Sequence, residues 1–182
     1  MTPQLTLRRA VTATRIPYGD DVSLESGSEV SLVQSLGGHF TVDTYEAGLV
    51  RIDAKDADAL GLEAKAPSAR TAEGSLDAGP LEREAVLDAL REVYDPEIPI
   101  NVVDLGLIYD CVLSDVAGGK RVEIRMSMTA PGCGMGDVLR EDVRGILEAM
   151  PQVREVDVEI VWDPPWSTDR MSEAAKLEMG WL

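Results

Sequence analysis

The residues with the clearest chemical potential form a glycine-rich turn around Cys133. The turn, Met128-Thr129-Ala130-Pro131-Gly132-Cys133-Gly134-Met135-Gly136, joins a strand pattern to an amphipathic helix pattern. This spacing predicts Cys133 at the helix N-terminus, where backbone N–H groups and the helix dipole favour a thiolate. The flanking glycines let backbone approach the sulfur or a ligand closely. Such a thiolate can be a nucleophile, a redox centre or a metal ligand; the alternative is a small side chain packed in a turn.

The second cysteine, Cys111, lies in the middle of a predicted strand. It shares one parity with Tyr109 and Leu113, and burial there raises a thiol pKa and makes the sulfur unreactive. We therefore predict that Cys111 belongs to the core. Two cysteines cannot build a disulfide scaffold, a four-cysteine zinc site or a complete cluster site.

Carboxylates are grouped in a proline-bounded loop, Asp95-Pro96-Glu97-Ile98-Pro99, which Asp104 follows just before a strand pattern. The prolines fix φ and disfavour helical conformation in the residues before them, so the loop is predicted to be rigid and to present Asp95 and Glu97. Carboxylates held in this way can act as general bases, oxygen ligands or caps for N–H groups. Capping and turn formation are the commoner roles of loop acids.

A third group places two tryptophans around a proline pair. Trp162, Asp163 and Trp166 lie in the segment Val161-Trp162-Asp163-Pro164-Pro165-Trp166. Because aromatic residues make up only 4% of the chain, this clustering favours a docking surface or a lid; the alternative is packing of the last helix.

Composition excludes several classes of protein. The chain has 182 residues, 45% of them apolar, which is enough for a core and argues against global disorder. With 33 acidic and 17 basic residues the net charge is -16, so neither nucleic acid nor an anionic membrane surface is an expected partner. The only histidine, His39, cannot supply a histidine-dominated zinc site.

The patterns also favour a cytoplasmic protein. The N-terminus lacks the apolar stretch of a secretory signal, and nowhere does the sequence approach the ~20 apolar residues that span a bilayer. Thiols in the cytosol are kept reduced, so the two cysteines are expected to act separately.

The elements that must position these residues divide the chain into two halves. Residues 1–63 read as short strands broken by glycine and proline, forming a small antiparallel meander or barrel with a hairpin at Glu46-Ala47-Gly48. A short acidic helical piece is expected near residues 56–60. Residues 64–79 lose apolar periodicity and are predicted to be a linker.

The second half, residues 80–182, alternates helix and strand patterns. A helix is predicted from Pro80 to the Asp95-Pro96 stop, followed by two strands joined by a hairpin at residues 115–120. A second helix ends before Pro151, a third strand follows, and a last helix is expected from about Ser167 to Met179. The order helix, strand, strand, helix, strand, helix predicts a compact α+β domain with a mixed sheet.

Three separated motifs make the second half similar to a known domain family. The run from Asp95 to Tyr109, the Met128-Thr129 and Pro131-Gly132-Cys133 turn, and the tryptophan–proline motif resemble the family shared by PaaD-type proteins and the eukaryotic cytosolic iron–sulfur assembly targeting subunit. The match covers about residues 81–170. Gly134 after the cysteine, where many members have proline, and the added N-terminal β segment are typical of the SufT-like subgroup.

The resemblance implies an accessory factor in the maturation of iron–sulfur proteins, with the assembly machinery and apoprotein clients as partners. It places Cys133 at the position of the family's reactive cysteine and Asp95, Glu97 and Asp104 at its motif acids. Thr129, Pro131, Gly132 and Gly134 then complete the supporting turn, and Trp162, Asp163 and Trp166 supply a partner surface.

One thiolate per chain limits the mechanism, because a cluster normally needs more ligands. A transient cluster must therefore be completed by a second copy in a homodimer, by a partner, or by small thiols. Two other functions stay open at this point. One is a thiol-dependent enzyme with Cys133 as nucleophile and a motif acid as base, and the other is a structural interaction module without chemistry of its own.

Overall fold

The computed structural model describes residues 3–63 and 80–181. These residues fall into two compact units, the first formed by residues 3–63 with Pro96–Pro99 and the second by residues 80–95 with 100–181. The α+β class is confirmed, with a large antiparallel sheet in the first unit and a small mixed sheet in the second. The predicted linker at 64–79 lies outside the described residues, so the domain boundaries stay a prediction.

The first unit is a six-stranded antiparallel sheet with the strand order β1-β4-β5-β6-β2-β3. Its strands are β1 (Gln4–Thr6), β2 (Val11–Arg15), β3 (Asp21–Leu24), β4 (Glu29–Leu36), β5 (His39–Thr44) and β6 (Gly48–Ile52). The predicted hairpin is confirmed: β5 and β6 are antiparallel neighbours, and Thr44 pairs with Gly48 next to the turn. Among the described strands β1 and β3 end the order, so the sheet is not a closed barrel.

One apolar core holds this sheet together. The predicted acidic helical piece is a 3-10 helix, Ala54–Leu60, whose buried Ala57, Ala59 and Leu60 join the core cluster of the strands. Exposed Arg9 bonds Asp56 and Asp58 of this helix at 2.6–2.8 Å. Exposed ion pairs of this kind add little stability, so apolar burial is the main reason for the packing.

The second unit follows the predicted order of elements. These are α1 (Arg83–Leu90), β7 (Ile108–Val116), β8 (Gly119–Met126), α2 (Gly136–Glu148), β9 (Val153–Ile160) and α3 (Glu173–Glu178). β7 and β8 form an antiparallel hairpin through a two-residue turn, and β9 runs parallel to β8. The parallel pairing arises because α2 carries the chain back along the sheet before β9 begins.

Alternation along β8 determines the two faces of the small sheet. Val122, Ile124 and Met126 are buried, whereas Arg121 and Arg125 reach carboxylates of β9 on the opposite face. α2 packs on β9 and α1 packs on α2 and β7, so the helices cover the apolar face. None of the helices in the described ranges has the length and apolar character to cross a membrane.

The observed helices are shorter than the predicted ones. α1 begins at Arg83 with Glu82 as its N-cap residue, so Pro80 is not the first helical residue. The predicted single helix over residues 167–179 is wrong: a 3-10 helix, Thr168–Arg170, precedes α3. Met171 is extended and buried between them, and the Ser172 hydroxyl accepts the Ala175 N–H at 3.1 Å to start α3.

Candidate functional site

The sequence motifs of the second unit meet at one end of the three-stranded sheet. The Ser127 N–H donates to the Leu107 carbonyl at 2.8 Å, and the Val161 N–H donates to the Met126 carbonyl at 2.8 Å. The chain before β7, the chain after β8 and the chain after β9 therefore lie side by side. We call this end of the sheet, formed by residues 101–107, 127–135 and 161–166, the motif end.

The cysteine turn is a compact, partly exposed loop at the motif end. The Cys133 N–H donates to the Ala130 carbonyl at 3.4 Å, and the Cys133 carbonyl accepts the Gly136 N–H at 3.3 Å. Thr129, Cys133 and Gly134 are partly exposed, and Pro131 and Gly132 are exposed. Gly132 has a φ of +77°, which favours glycine. Cys133 is thus a partly exposed residue of a surface loop, and neither cysteine forms a disulfide.

The helix after this turn begins later than the sequence predicts. α2 starts at Gly136 with Met135 as N-cap residue, so Cys133 precedes the helix rather than lying in its first turn. The reason is packing: Met135 is fully buried, and a Cβ on Gly136 would lie 3.2 Å from Ile160 Cδ1. Residues 135 and 136 are thus packed against the sheet where the helix begins, and Cys133 lies in the preceding loop.

Cys111 lies in the core, as predicted. It is 6% exposed and pairs in register with Ile124, on the face covered by the helices. Burial raises the pKa of the Cys111 thiol, and the nearby Arg83 guanidinium opposes part of that rise. A neutral, buried thiol in this position is a packing residue.

The two acids of the proline-bounded loop differ in exposure. Glu97 is exposed, whereas Asp95 is only 3% exposed and its N–H donates to the Ile100 carbonyl at 3.1 Å. The prediction that the loop presents both carboxylates is therefore wrong for Asp95. A carboxylate buried to this extent must be compensated by polar contacts within the protein, which is a structural task.

Asp104 belongs to a local hydrogen-bond network centred on Asn101. The Asn101 side-chain amide donates to Asp104 Oδ2 at 2.7 Å, and Asn101 Oδ1 accepts the N–H groups of Val103 and Asp104 at 3.1 and 2.9 Å. This is a turn organised by an Asn side chain. Asp104 thus has the turn-forming role that loop acids commonly have. Sequence reasoning missed Asn101, although an Asn three residues before an acid is a recognisable turn signal.

The two tryptophans of the third motif have different surroundings. Trp162 is 47% exposed and Asp163 is exposed, as a partner surface requires. Trp166 is partly buried, and its indole N–H donates to the Leu105 carbonyl at 2.8 Å. Trp166 therefore packs within the unit, and the partner-surface prediction applies best to Trp162 and Asp163.

Tyr109 and Arg170 also join the motif end, which sequence reasoning did not predict. The Arg170 guanidinium carbon lies 3.7 Å from the centroid of the Tyr109 ring, and the Tyr109 hydroxyl donates to the Pro164 carbonyl at 2.9 Å. A cation over an aromatic face is attractive. The residues are too far apart in sequence for any local pattern to show the pairing.

Tyr94, next to the Asn101 turn, has three carboxylates near its phenol. Burial raises the pKa of the Tyr94 phenol, and the carboxylates of Glu92, Glu178 and Asp104 raise it further. Residues 101 and 94 also form an isolated antiparallel bridge, which ties this acidic region to the Asn101 turn.

The metal-binding capacity of these side chains is small. In residues 3–63 and 80–181 no group of three or more His, Cys, Asp or Glu side chains is placed to hold a metal ion. If Cys133 is a ligand, the remaining ligands must come from outside the described part of this chain.

Comparison with known proteins gives a family match that lies almost entirely in the second unit. A family model described as iron-sulfur cluster assembly protein matches residues 83–160. The chain is 46% identical over 99 residues to an Fe-S protein maturation auxiliary factor of Porphyromonas gingivalis, a match that covers 54% of this chain and 91% of the relative.

Two further relatives have names from the same process. The Fe-S protein maturation auxiliary factor YitW of Bacillus subtilis is 37% identical over 98 residues, which covers 54% of this chain and 93% of the relative. An iron-sulfur cluster carrier protein of a Synechocystis species is 33% identical over 85 residues, which covers 47% of this chain and 23% of that protein. This chain belongs to the iron-sulfur cluster assembly protein family, and the SufT-like resemblance is confirmed.

Proposed function

We propose that this protein is an accessory factor in iron–sulfur protein maturation that receives a cluster transiently through Cys133 and passes it to an apoprotein. The cluster is cargo rather than a resident cofactor. Relatives named as maturation auxiliary factors and as a cluster carrier support a role in this process.

The observation that carries the proposal is that Cys133 is a partly exposed residue of an exposed glycine-rich turn at the motif end. Partial exposure lets a second molecule reach the sulfur, and the flanking glycines leave room for a bulky inorganic group. A thiolate is the usual protein ligand of iron–sulfur clusters. The other cysteine is buried in the core and is unsuited to exchange.

Incomplete ligation is what a transfer role requires. Four cysteine thiolates hold the common clusters tightly, whereas the described part of this chain offers one accessible thiol and no group of three donors. We propose that a second copy, an assembly protein or the receiving apoprotein supplies the rest. A cluster shared in this way can leave when the receiving protein provides more ligands.

The supporting residues have separate roles in this proposal. Thr129, Pro131, Gly132 and Gly134 shape the turn, and Asp104 supports the neighbouring turn by accepting a hydrogen bond from Asn101. Trp162 and Asp163 contribute an exposed surface for the assembly machinery or for an apoprotein. The mechanism needs a reduced thiol, so we also propose that the protein works in the cytoplasm.

Anaerobic reconstitution with iron and sulfide tests the proposal. Wild type, Cys133→Ala and Cys111→Ala are treated identically, and bound iron, bound sulfide and visible absorption are measured after desalting. We expect wild type and Cys111→Ala to acquire a cluster and Cys133→Ala to acquire none, because only Cys133 is an accessible ligand. Equal cluster content in wild type and Cys133→Ala would remove Cys133 from the ligand set.

The stoichiometry of the loaded protein distinguishes the sources of the missing ligands. Size measured with and without cluster should show dimers that form only on loading if a second copy completes the site. Loaded monomers whose cluster is lost when small thiols are removed would instead assign the remaining ligands to those thiols.

A further inference from the structure

We infer that the segment after β9 positions the Asn101 turn, residues 101–106. We call this segment, residues 162–178, the C-terminal strap. Within it, Trp166 is the positioning residue. The inference concerns a segment beyond residues 83–160, the part matched by the family model. Its consequence for cluster delivery depends on the proposed function, but the structural coupling does not.

The first observation is a pair of hydrogen bonds from the strap to consecutive carbonyl groups of the turn. The Ser172 N–H donates to the Asp104 carbonyl at 2.8 Å. The Trp166 indole N–H donates to the Leu105 carbonyl at 2.8 Å. Donors six residues apart in the strap thus hold neighbouring peptide groups, so the turn and the strap can move only together.

The second observation is direct backbone contact at Gly106. Gly106 has a φ of +73°, and a Cβ built on it would lie 2.2 Å from the Arg170 carbonyl oxygen and 2.6 Å from the carbonyl carbon. Any side chain at this position would push the strap away. Gly106 is therefore required both for the turn conformation and for the approach of the strap.

The third observation is that Tyr109 holds the strap at two further points. Its hydroxyl donates to the Pro164 carbonyl, and Arg170 stacks over its ring. The strap is thus held from residue 164 to residue 172 by contacts that all go to residues 104–109. The tryptophan–proline motif is therefore in direct contact with the turn and with the first residues of β7.

The two tryptophans of the motif consequently have different tasks. Trp166 is partly buried and donates its indole proton within the unit, whereas Trp162 is exposed at the same end of the sheet. Trp162→Phe is therefore a matched control for Trp166→Phe. Both changes keep an aromatic ring and remove an indole N–H, but only the second removes the bond to Leu105.

Native-state hydrogen exchange of the full-length protein tests the coupling without reference to function. In Trp166→Phe we expect the amides of Gly106, Leu107 and Ser172 to exchange about fivefold to tenfold faster than in wild type, while β8 amides are unchanged. In Trp162→Phe these three rates should match wild type. If each of the three amides exchanged at the same rate in Trp166→Phe as in Trp162→Phe, the inference would be overturned.

Cluster transfer then tests whether Trp166 acts through the turn. Loaded Trp166→Phe, Asp104→Ala and the double variant are mixed with a cluster-accepting apoprotein, and the transfer rate is followed by absorption. We expect similar slowing in the two single variants and no further slowing in the double variant, because both changes disturb one unit. Multiplicative slowing would assign Trp166 a general structural role and contradict the positioning role.

Hydrogen exchange of Trp166→Phe and reconstitution of Cys133→Ala together separate failure of this inference from failure of the proposed function. If Cys133→Ala binds a cluster as wild type does, the proposed function is wrong, while faster exchange in Trp166→Phe still establishes the strap. If Cys133→Ala binds none but exchange is unchanged in Trp166→Phe, the strap inference alone is wrong.

Discussion

The two cysteines of this chain occupy opposite environments within one compact unit. Cys111 lies mid-strand in β7 near Arg83 of α1, and burial raises the pKa of its thiol. Cys133 lies in an exposed glycine-rich turn between β8 and α2. The comparison shows that the role of a cysteine depends on the element that carries it, because a strand interior removes a thiol from water and a turn leaves it accessible.

The largest expected difference between Cys133 and Cys111 is in the effect of their substitution on function in cells. Cells that lack this protein and make Cys133→Ala should recover none of the activity of cluster-dependent enzymes, whereas Cys111→Ala should restore it almost fully. The reason is that, under the proposed function, Cys133 is the cysteine that contacts the cluster. The measurement is the activity of a cluster-dependent enzyme at matched levels of both variants. Full recovery with Cys133→Ala would favour an interaction module without thiol chemistry.

Thiol accessibility is the next comparison. In the folded protein we expect iodoacetamide to modify Cys133 at least about 100-fold faster than Cys111, because Cys111 reacts only after local opening. Mass spectrometry of digests taken over time measures both rates. In denaturant the two rates should converge, and a large difference that persists there would point to neighbouring residues in the chain rather than to burial.

Stability should show the reverse order. Cys111→Ala leaves a small cavity beside Ile124 and is expected to cost about 1–2 kcal/mol in the free energy of unfolding. Cys133→Ala lies in a surface turn and should change it by less than about 0.5 kcal/mol. Urea unfolding followed by circular dichroism compares the variants. Equal losses would indicate that the turn is as tightly packed as the sheet.

The smallest expected effect is on the pH dependence of stability. Since burial raises the pKa of Cys111 in the folded state, the unfolded chain loses its thiol proton first as the pH rises. The stabilisation is fully present below the unfolded pKa of ~8.5 and is lost as pH rises through the folded pKa. Wild type should therefore lose more stability than Cys111→Ala between about pH 8 and pH 10.

Tyr94 has a raised pKa of the same sign, but it is present in both proteins and cancels in that difference. Parallel unfolding free energies for the two proteins over this pH range would mean that Cys111 ionises equally in the folded and unfolded chains. Such a result would weaken the contrast between the two cysteines.

Much of the fold could be predicted because apolar periodicity reflects burial directly. The alternation of Val122, Ile124 and Met126 with charged residues predicts β8 and its buried face correctly, and the same parity argument places Cys111 in the core. Helix ends were less predictable. Pro80 and Ser167 have local signals for helix starts, yet α1 begins at Arg83 and α3 at Glu173.

The candidate site could be predicted only as separate pieces. The turn around Cys133, the acids and the tryptophans are visible as motifs, but sequence alone does not distinguish buried Asp95 from exposed Glu97. Both are acids beside prolines, so the local sequence gives the same signal for each.

By itself, the sequence determined the class of each half, the order of elements in the second half and the identity of the accessible cysteine, because these follow from local periodicity and turn chemistry. Only the tertiary structure decided that the motifs meet at one end of a sheet and that Trp166, Gly106 and Arg170 join the Asn101 turn to the C-terminal strap. Those contacts link segments about 60 residues apart, and the sheet register that aligns them is a property of the folded chain.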